Sequence, residues 1–168
     1  MGSAQEREFL DFAAARAGHL YRSACLLTGG DTHRAEDLVQ ETLGRMFVTW
    51  RRIHQVGNPA GYAQTVLVRT FLSQQRRRSS TERPTGEFPD LPQSRQGDPL
   101  LRLTLLEALA GLRPKDRAVL VLRYWEDRSV AETATAMEVS ENAVRTRCVR
   151  ALDKLRSVLG GSLAEYAS

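Results

Sequence analysis

The sequence lacks most of the features from which disulfide-linked, membrane-spanning and metal-binding proteins are built. Its 168 residues include only two cysteines, Cys25 and Cys148, each inside an apolar helical pattern, which predicts buried free thiols. No apolar run approaches the roughly 20 residues that span a bilayer, and the N-terminus lacks a basic and then apolar signal pattern. We therefore expect a cytoplasmic protein that does not enter a membrane.

Catalytic motifs are missing as well. The three histidines, His19, His33 and His54, show no metal-ligand spacing with one another or with the cysteines. No catalytic triad can be assembled from the sequence. It thus predicts a protein that is not an enzyme, with no catalytic residue, no metal and no cofactor.

Strand-like alternation is also absent, whereas helical periodicity runs through most of the chain, so the fold is predicted to be all-α. The third helix has the clearest apolar stripe and can be capped by Asp31 or Thr32. Asn58 and Pro59 are suited to begin the fourth helix. The predicted helices cover residues 6–17, 20–27, 32–50, 59–77, 100–110 and 114–125, followed by a helix pair.

The composition changes over residues 79–98, which contain prolines, a pair of glycines and mixed charges. Such a segment cannot bury enough apolar area to fix a packed structure. It predicts a flexible linker between two small helical domains, residues 1–78 and 99–168. Phe88 and Leu91 are the large apolar residues of this linker and are candidates for docking on a partner.

Residues 127–150 are the most informative segment, because they predict two capped helices joined by a tight turn. Ser129 and Glu132 have the spacing of a capping box, and Ser140 can cap the second helix. The second helix carries an apolar stripe that faces the core. A helix-turn-helix of this kind places its second helix in the major groove of DNA.

The opposite face of this second helix carries groups that are used in groove readout. Local charge supports this interpretation, since residues 141–159 hold five basic against two acidic residues while the whole chain has a net charge of only +4. Basic clusters favour phosphate contacts. The alternative is a solvated amphipathic helix whose charges only maintain solubility. The outward residues are Asn142, Thr146, Val149 and Arg150, with Arg145 and Arg147 at the edges.

Two further charged clusters lie in the first half of the chain. Arg76, Arg77 and Arg78 end the fourth predicted helix. The outer face of the third predicted helix begins with polar and acidic residues, and the helix dipole explains part of this cluster without a partner. These residues are Glu36, Asp37, Gln40 and Glu41.

Taken in order, these motifs resemble the extracytoplasmic-function (ECF) sigma factors of bacterial RNA polymerase, a group of the sigma-70 family. Residues 35–42 look like region 2.2, residues 61–78 are similar to regions 2.3 and 2.4, and residues 112–126 resemble the start of region 4. The helix pair resembles region 4.2. Residues 21–29 and 66–72 look like a sigma-E-like subgroup that is common in actinobacteria.

The resemblance implies a role for each segment. Region 2.2 docks on the clamp helices of the largest polymerase subunit, and the implied contacts are Glu36, Asp37, Gln40 and Glu41. Regions 2.3 and 2.4 melt and read the minus-10 promoter element, with residues 52–60 as a loop of the base pocket. The implied contacts there are Asn58, Tyr62, Thr65, Arg69, Ser73, Arg76 and Arg77. Region 4.2 binds the minus-35 element, through Asn142, Arg145, Thr146, Arg147, Val149 and Arg150.

The implied partners are core RNA polymerase, through its clamp helices and the flap of its second-largest subunit, promoter DNA and, as for many family members, an anti-sigma factor. Three residues depart from the family pattern. Tyr62 stands where many members carry tryptophan, Arg69 where most carry the asparagine of the base pocket, and Glu138 where the turn usually has glycine. A left-handed backbone at Glu138 would cost about 1 kcal/mol.

The sequence therefore favours a sigma factor that binds core RNA polymerase and directs promoter-specific transcription initiation. Two other classes stay open at this stage. A stand-alone helix-turn-helix regulator would use residues 1–78 for sensing or dimerisation and bind a palindromic operator without polymerase. An interaction protein, such as a decoy held by a regulatory partner, would have no promoter of its own.

Overall fold

The computed structural model describes residues 2–55, 57–81 and 99–167, and every regular element within these ranges is helical, as predicted. Most of the predicted linker, including Phe88 and Leu91, lies outside the described residues. A π-helical turn, Val121–Trp125, continues the sixth helix. The helices are α1 (Ser3–Leu27), α2 (Thr32–Val48), α3 (Trp50–Gln55), α4 (Pro59–Thr81), α5 (Pro99–Ala110), α6 (Pro114–Leu120), α7 (Val130–Met137) and α8 (Glu141–Ala167).

Three boundaries differ from the sequence-based prediction. α1 is one helix where two were expected, because Phe9 and Leu20, on either side of the predicted break, are buried in the same core. Part of the expected loop 52–60 is helical in α3, because Trp50 and Ile53 are buried there. α4 continues to Thr81, so the first residues of the predicted linker are helical.

Side-chain caps begin α2 and α4 where the sequence predicts them. The Asp31 carboxylate accepts a hydrogen bond from the Arg34 backbone N–H at 3.2 Å. The Asn58 side-chain oxygen accepts one from the Gly61 backbone N–H at 3.0 Å. Each cap satisfies a donor that has no partner within its helix, which fixes where the helix starts.

One hydrophobic core runs through both halves of the chain. α1, α2 and α4 pack together, and α6, the π-helical turn and α7 pack against α1 and α4. A smaller cluster of Leu109, Leu112, Leu120 and Ala151 joins α5, α6 and α8. The two predicted domains therefore contact each other directly. The shared core includes Leu20, Leu38, Met46, Leu67 and Phe71 from the first half, and Ala118, Val119, Leu122 and Val144 from the second.

The turn after α1 shows how closely the two halves approach. Gly29 has a left-handed backbone with φ of 65°, and a Cβ atom placed there would lie 2.6 Å from the Cβ atom of Ala110 in α5. Both the backbone conformation and the available space therefore require glycine at this position.

Cys25 and Cys148 are buried free thiols, as predicted. Within the described ranges, no group of histidine, cysteine and acidic side chains is arranged to hold a metal ion. The helices found there are all too short or too polar to cross a membrane.

Candidate nucleic-acid and polymerase interface

α7 and α8 form the predicted helix-turn-helix. The Ser129 hydroxyl accepts a hydrogen bond from the Glu132 backbone N–H, and the Glu132 carboxylate accepts one from the Ser129 backbone N–H, both at 3.0 Å. The Ser140 hydroxyl accepts from the Ala143 backbone N–H at 3.1 Å. Glu138 adopts the left-handed conformation between the helices, with φ of 58° and ψ of 44°. These contacts confirm the capping box, the second cap and the turn.

The orientation of α8 also agrees with the prediction. Val144 and Cys148 are buried, whereas Val149 on the other side of the helix is 62% exposed. Arg145 forms an exposed ion pair with Glu141 at 3.7 Å, one turn earlier in the helix. The exposed side of α8 presents Asn142, Arg145, Thr146, Val149 and Arg150 to solvent, while Arg147 is half-buried.

Asp116, in the first turn of α6, holds two of the predicted DNA-contacting arginines. Arg150 donates through Nη2 and Nε at 3.0 and 3.3 Å, and Arg147 donates through Nη1 at 3.1 Å. Burial alone would raise the pKa of Asp116, but the hydrogen bonds from Arg150 and Arg147 outweigh it and hold that pKa below its ordinary value. Asp116 therefore stays ionised and positions both guanidinium groups.

The outer face of α2 is exposed at Glu36, Asp37 and Gln40, as predicted. Glu41 differs because it is half-buried beside α4. It accepts hydrogen bonds from Gln74 and from Arg77 Nη2, the latter at 3.2 Å. Burial alone would raise its pKa, yet these bonds keep the pKa of Glu41 below its ordinary value.

The predicted minus-10 residues divide into two groups along α4. Asn58, Tyr62, Arg76 and Arg77 are exposed, and Ser73 is half-buried. Thr65 is half-buried and Arg69 is exposed, and both lie in the middle of the helix and contact the second half of the chain. The sequence did not predict these contacts.

A basic groove of about 500 Å³ lies where α4 meets α6 and α8. Arg76 comes from the first half, and Arg113, Lys115 and Arg147 come from the second half. The two basic clusters seen in the sequence are therefore adjacent in this structure. Positive charge concentrated in this way attracts the phosphate backbone of nucleic acid.

An apolar groove of about 300 Å³ lies on another side of the second half and was not predicted. Tyr124 and Trp125 are 58% and 45% exposed, because the π-helical turn carries them out of the packed stripe. The groove is lined by Leu26, Leu105, Leu109, Leu120, Val121, Tyr124, Trp125, Leu152 and Leu155.

An exposed recognition helix on a capped helix-turn-helix, with basic groups gathered beside it, defines a DNA-binding protein of the all-α class. Comparison with known proteins narrows this class. The family model "Sigma-70 region 2" matches residues 13–81, and "Sigma-70, region 4" matches residues 102–155.

Related proteins match this chain over nearly its whole length. The RNA polymerase sigma-E factor of Streptomyces coelicolor is 35% identical over 153 residues, which cover 90% of this chain and 86% of that protein. The ECF RNA polymerase sigma factor SigL of Mycobacterium tuberculosis is 33% identical over 152 residues, or 85% and 84% of the two chains. The chain therefore belongs to the sigma-70 family of RNA polymerase sigma factors, and within it to the ECF group.

A solved structure shares the fold. It is the sigma factor RpoE from Bartonella quintana, crystallised in complex with the anti-sigma factor NepR. The TM-score is 0.76 at 22% identity, and the similarity covers 92% of this chain and 98% of RpoE.

Proposed function

We propose that this sigma factor directs core RNA polymerase to promoters through four surfaces, which lie on α2, on α4, on α8 and in the apolar groove lined by Leu105 and Trp125. One observation carries the proposal: the exposed face of α8 lies on a helix-turn-helix whose caps and turn are all formed. The protein acts in the cytoplasm and performs no chemistry itself. Its contribution is to place two DNA-reading surfaces on the polymerase.

The α8 surface reads the minus-35 element. Thr146 and Val149 offer a hydroxyl and an apolar contact to base edges, and Arg150 offers the planar guanidinium that pairs with guanine. Arg145 lies at the edge of the face and is suited to a phosphate. Asp116 holds Arg150 and Arg147 in place before DNA arrives, which lowers the entropy that binding has to overcome.

The α4 surface captures the minus-10 element. Tyr62 is 42% exposed at the start of the helix, where its ring is available to stack on an unpaired base. Asn58 lies beside it, and Arg76 and Arg77 at the other end of α4 are placed for backbone contacts. Stacking and pocket contacts together offset the few kcal/mol that unpairing a base requires.

Two surfaces bind core polymerase. Glu36, Asp37 and Gln40 on α2 form an exposed polar face that fits the clamp helices of the largest subunit. The apolar groove between Leu105 and Trp125 fits an apolar helix such as the flap of the second-largest subunit. An anti-sigma factor is a further proposed partner, since the neighbouring RpoE was crystallised with one.

Binding to promoter DNA with and without core polymerase distinguishes this proposal from a stand-alone regulator. A promoter fragment with both elements should be bound and opened only when core polymerase and the protein are present together, as read by mobility shift and by permanganate reactivity of unpaired thymines. Tight binding to a palindromic site by the protein alone, with no effect of core polymerase, would contradict the proposal and support the regulator.

A further inference from the structure

Four cationic side chains surround the basic groove where α4 meets α6 and α8. Arg76, Arg113, Lys115 and Arg147 line it, and among the lining residues that the structure describes none is acidic. Like charges repel one another, and salt screens this repulsion only in part at separations below the Debye length of about 8 Å at physiological ionic strength. A polyvalent anion that enters the groove would relieve the repulsion.

The cations of the groove differ from other arginines on the surface of the protein. Three exposed arginines of α2 and α8 pair with a carboxylate within about one turn on the same helix, in the pairs Arg45–Glu41, Arg145–Glu141 and Arg156–Asp153. Arg76, Arg113 and Lys115 are exposed as well, but they form no ion pair within the described ranges. Their charge is therefore available to a ligand.

Arg147 gives a second and independent indication of a ligand. Its Nη1 donates to Asp116 at 3.1 Å, but its Nε is buried and has no hydrogen-bond partner in the part of the chain that the structure describes. Buried polar groups are nearly always satisfied, and one that the protein leaves unpaired is commonly completed by an ordered water or an ion. A guanidinium that a carboxylate holds on one side keeps further N–H donors, and arginine binds phosphate through such donors.

The groove lies on a different side of α8 from the proposed base-reading face. Val149 is 62% exposed, whereas the Arg147 side chain is 23% exposed and contacts Asp116 of α6. Two residues along an α-helix correspond to a rotation of about 200°, so Arg147 and Val149 face nearly opposite directions. A ligand in the groove would thus contact Arg147 without covering Val149.

The size and lining of the groove favour a small organic phosphate. Its volume of about 500 Å³ falls in the range of small-molecule sites, roughly 300–1,000 Å³, and a DNA duplex is too wide to enter it. Leu72 and Pro114 add apolar surface beside the cations, and Gln75 adds an amide that can donate and accept hydrogen bonds. Apolar and neutral polar groups next to a cationic cluster fit a base or sugar that is joined to phosphates.

We propose that this groove is a binding site for a nucleoside polyphosphate. Arg76, Arg113 and Lys115 contact its phosphate chain, while Leu72 and Gln75 lie beside its nucleoside. A chain of three phosphates carries about four negative charges near pH 7, which matches the four cations of the groove. The site goes beyond the proposed function, because Arg113 and Lys115 belong to none of the proposed DNA-binding or polymerase-binding surfaces.

Isothermal titration calorimetry on the full chain tests the site, with ATP, GTP and inorganic tripolyphosphate as probes at about 0.15 M salt. The native protein should bind at least one of the two nucleotides with one-to-one stoichiometry. Arg113→Ala and Lys115→Ala should each weaken that binding about tenfold, because a charged hydrogen bond contributes about that factor. Arg156→Ala, which removes a 77% exposed arginine that does not line the groove, should leave the affinity unchanged.

Both test residues are exposed, so their substitution should leave the fold intact, and circular dichroism checks this. The absence of saturable nucleotide binding by the native chain would overturn the site. An equal loss of affinity in Arg156→Ala and in Lys115→Ala would also overturn it, because attraction to the overall charge would then explain the binding.

The nucleoside end of the site has its own test. The bound nucleotide should have a higher affinity than tripolyphosphate, since only the nucleotide has a group to place beside Leu72 and Gln75. Gln75→Ala should weaken nucleotide binding several-fold and leave tripolyphosphate binding unchanged. Equal effects of Gln75→Ala on the two probes would contradict the nucleoside assignment.

A single-stranded oligonucleotide of mixed sequence distinguishes the two sources of a phosphate chain, a free nucleotide and a nucleic-acid backbone. Its binding to the same variants is measured by fluorescence anisotropy in the same salt. We expect Arg113→Ala to weaken nucleotide binding more than oligonucleotide binding. If Arg113→Ala and Lys115→Ala weaken only oligonucleotide binding, the groove is a nucleic-acid surface and the small-ligand site is wrong.

Discussion

Arg150 lies against Asp116 in a two-point contact, with Nη2 3.0 Å from Oδ1 and Nε 3.3 Å from Oδ2. A residue of α6 thus orients the arginine of α8 that is best placed to read a base. The Asp116 side chain is 5% exposed and that of Arg150 is 48% exposed, so the arginine keeps one side available to DNA.

This geometry predicts that Arg150 contributes to sequence preference. Arg150→Ala should cost about 1–3 kcal/mol at the preferred promoter and relax preference at one upstream position, if Arg150 pairs with a base edge. Run-off transcription from a library of upstream elements measures the preference. Arg145→Ala is the matched control and should weaken all sequences about equally, with a salt slope reduced by about one. Unchanged preference in Arg150→Ala would show that α8 faces DNA differently.

Asp116 should also make stability depend on pH. Its pKa is lower in the folded chain than the ordinary 3.8 of the unfolded one, so its contribution is complete above pH 3.8 and is lost as the pH falls through the lower folded value. Asp116→Asn should lower the free energy of unfolding at pH 7 by about 1–3 kcal/mol. Urea unfolding measures the difference in the free energy of unfolding between the native protein and Asp116→Asn, and this difference should be smaller below pH 3 than at pH 7. An equal difference at the two pH values would contradict the role of this carboxylate.

Asp37 should contribute to polymerase binding. Because it is exposed on the outer face of α2, Asp37→Arg should weaken binding to core polymerase about tenfold or more through charge reversal, with helicity intact. Fluorescence anisotropy with labelled protein measures the affinity, and circular dichroism monitors the fold. Glu6→Arg makes the same charge change at an exposed site on α1 and should bind normally. Equal affinities for the two variants would show that the outer face of α2 is not part of the polymerase interface.

The turn between α7 and α8 offers a stabilising substitution. Glu138 has a φ of 58°, so Glu138→Gly should stabilise the protein by about 1 kcal/mol and raise the melting temperature by a few degrees. Asp127 is also left-handed, with a φ of 53°, but aspartate tolerates that region better than most residues. Asp127→Gly should therefore stabilise the protein by less than Glu138→Gly does. Calorimetry that ranks the two variants in the opposite order would contradict this reasoning.

Local features were predictable from the sequence because they depend on neighbouring residues. The caps at Asp31, Asn58 and Ser129 need only a side chain three residues from a free backbone N–H, and the buried stripe of α8 follows from its period. The contacts between the two halves were not predictable in this way. Arg69 and Ala136 are 67 residues apart, and nothing in the local pattern of either residue indicates a partner. The role of Asp116 in holding Arg147 and Arg150 was not predicted, because the helix dipole already explains an acidic residue in the first turn of a helix.

Run-off transcription from fragmented genomic DNA with core polymerase, in the presence and absence of the protein, tests the central claim most directly. We predict a limited set of new transcripts that appear only when the protein is added, with start sites downstream of a shared pair of elements. The spacing between those elements should be constant, because one chain carries both reading surfaces. Transcripts that are identical with and without the protein, under conditions where a control sigma factor is active, would contradict the account.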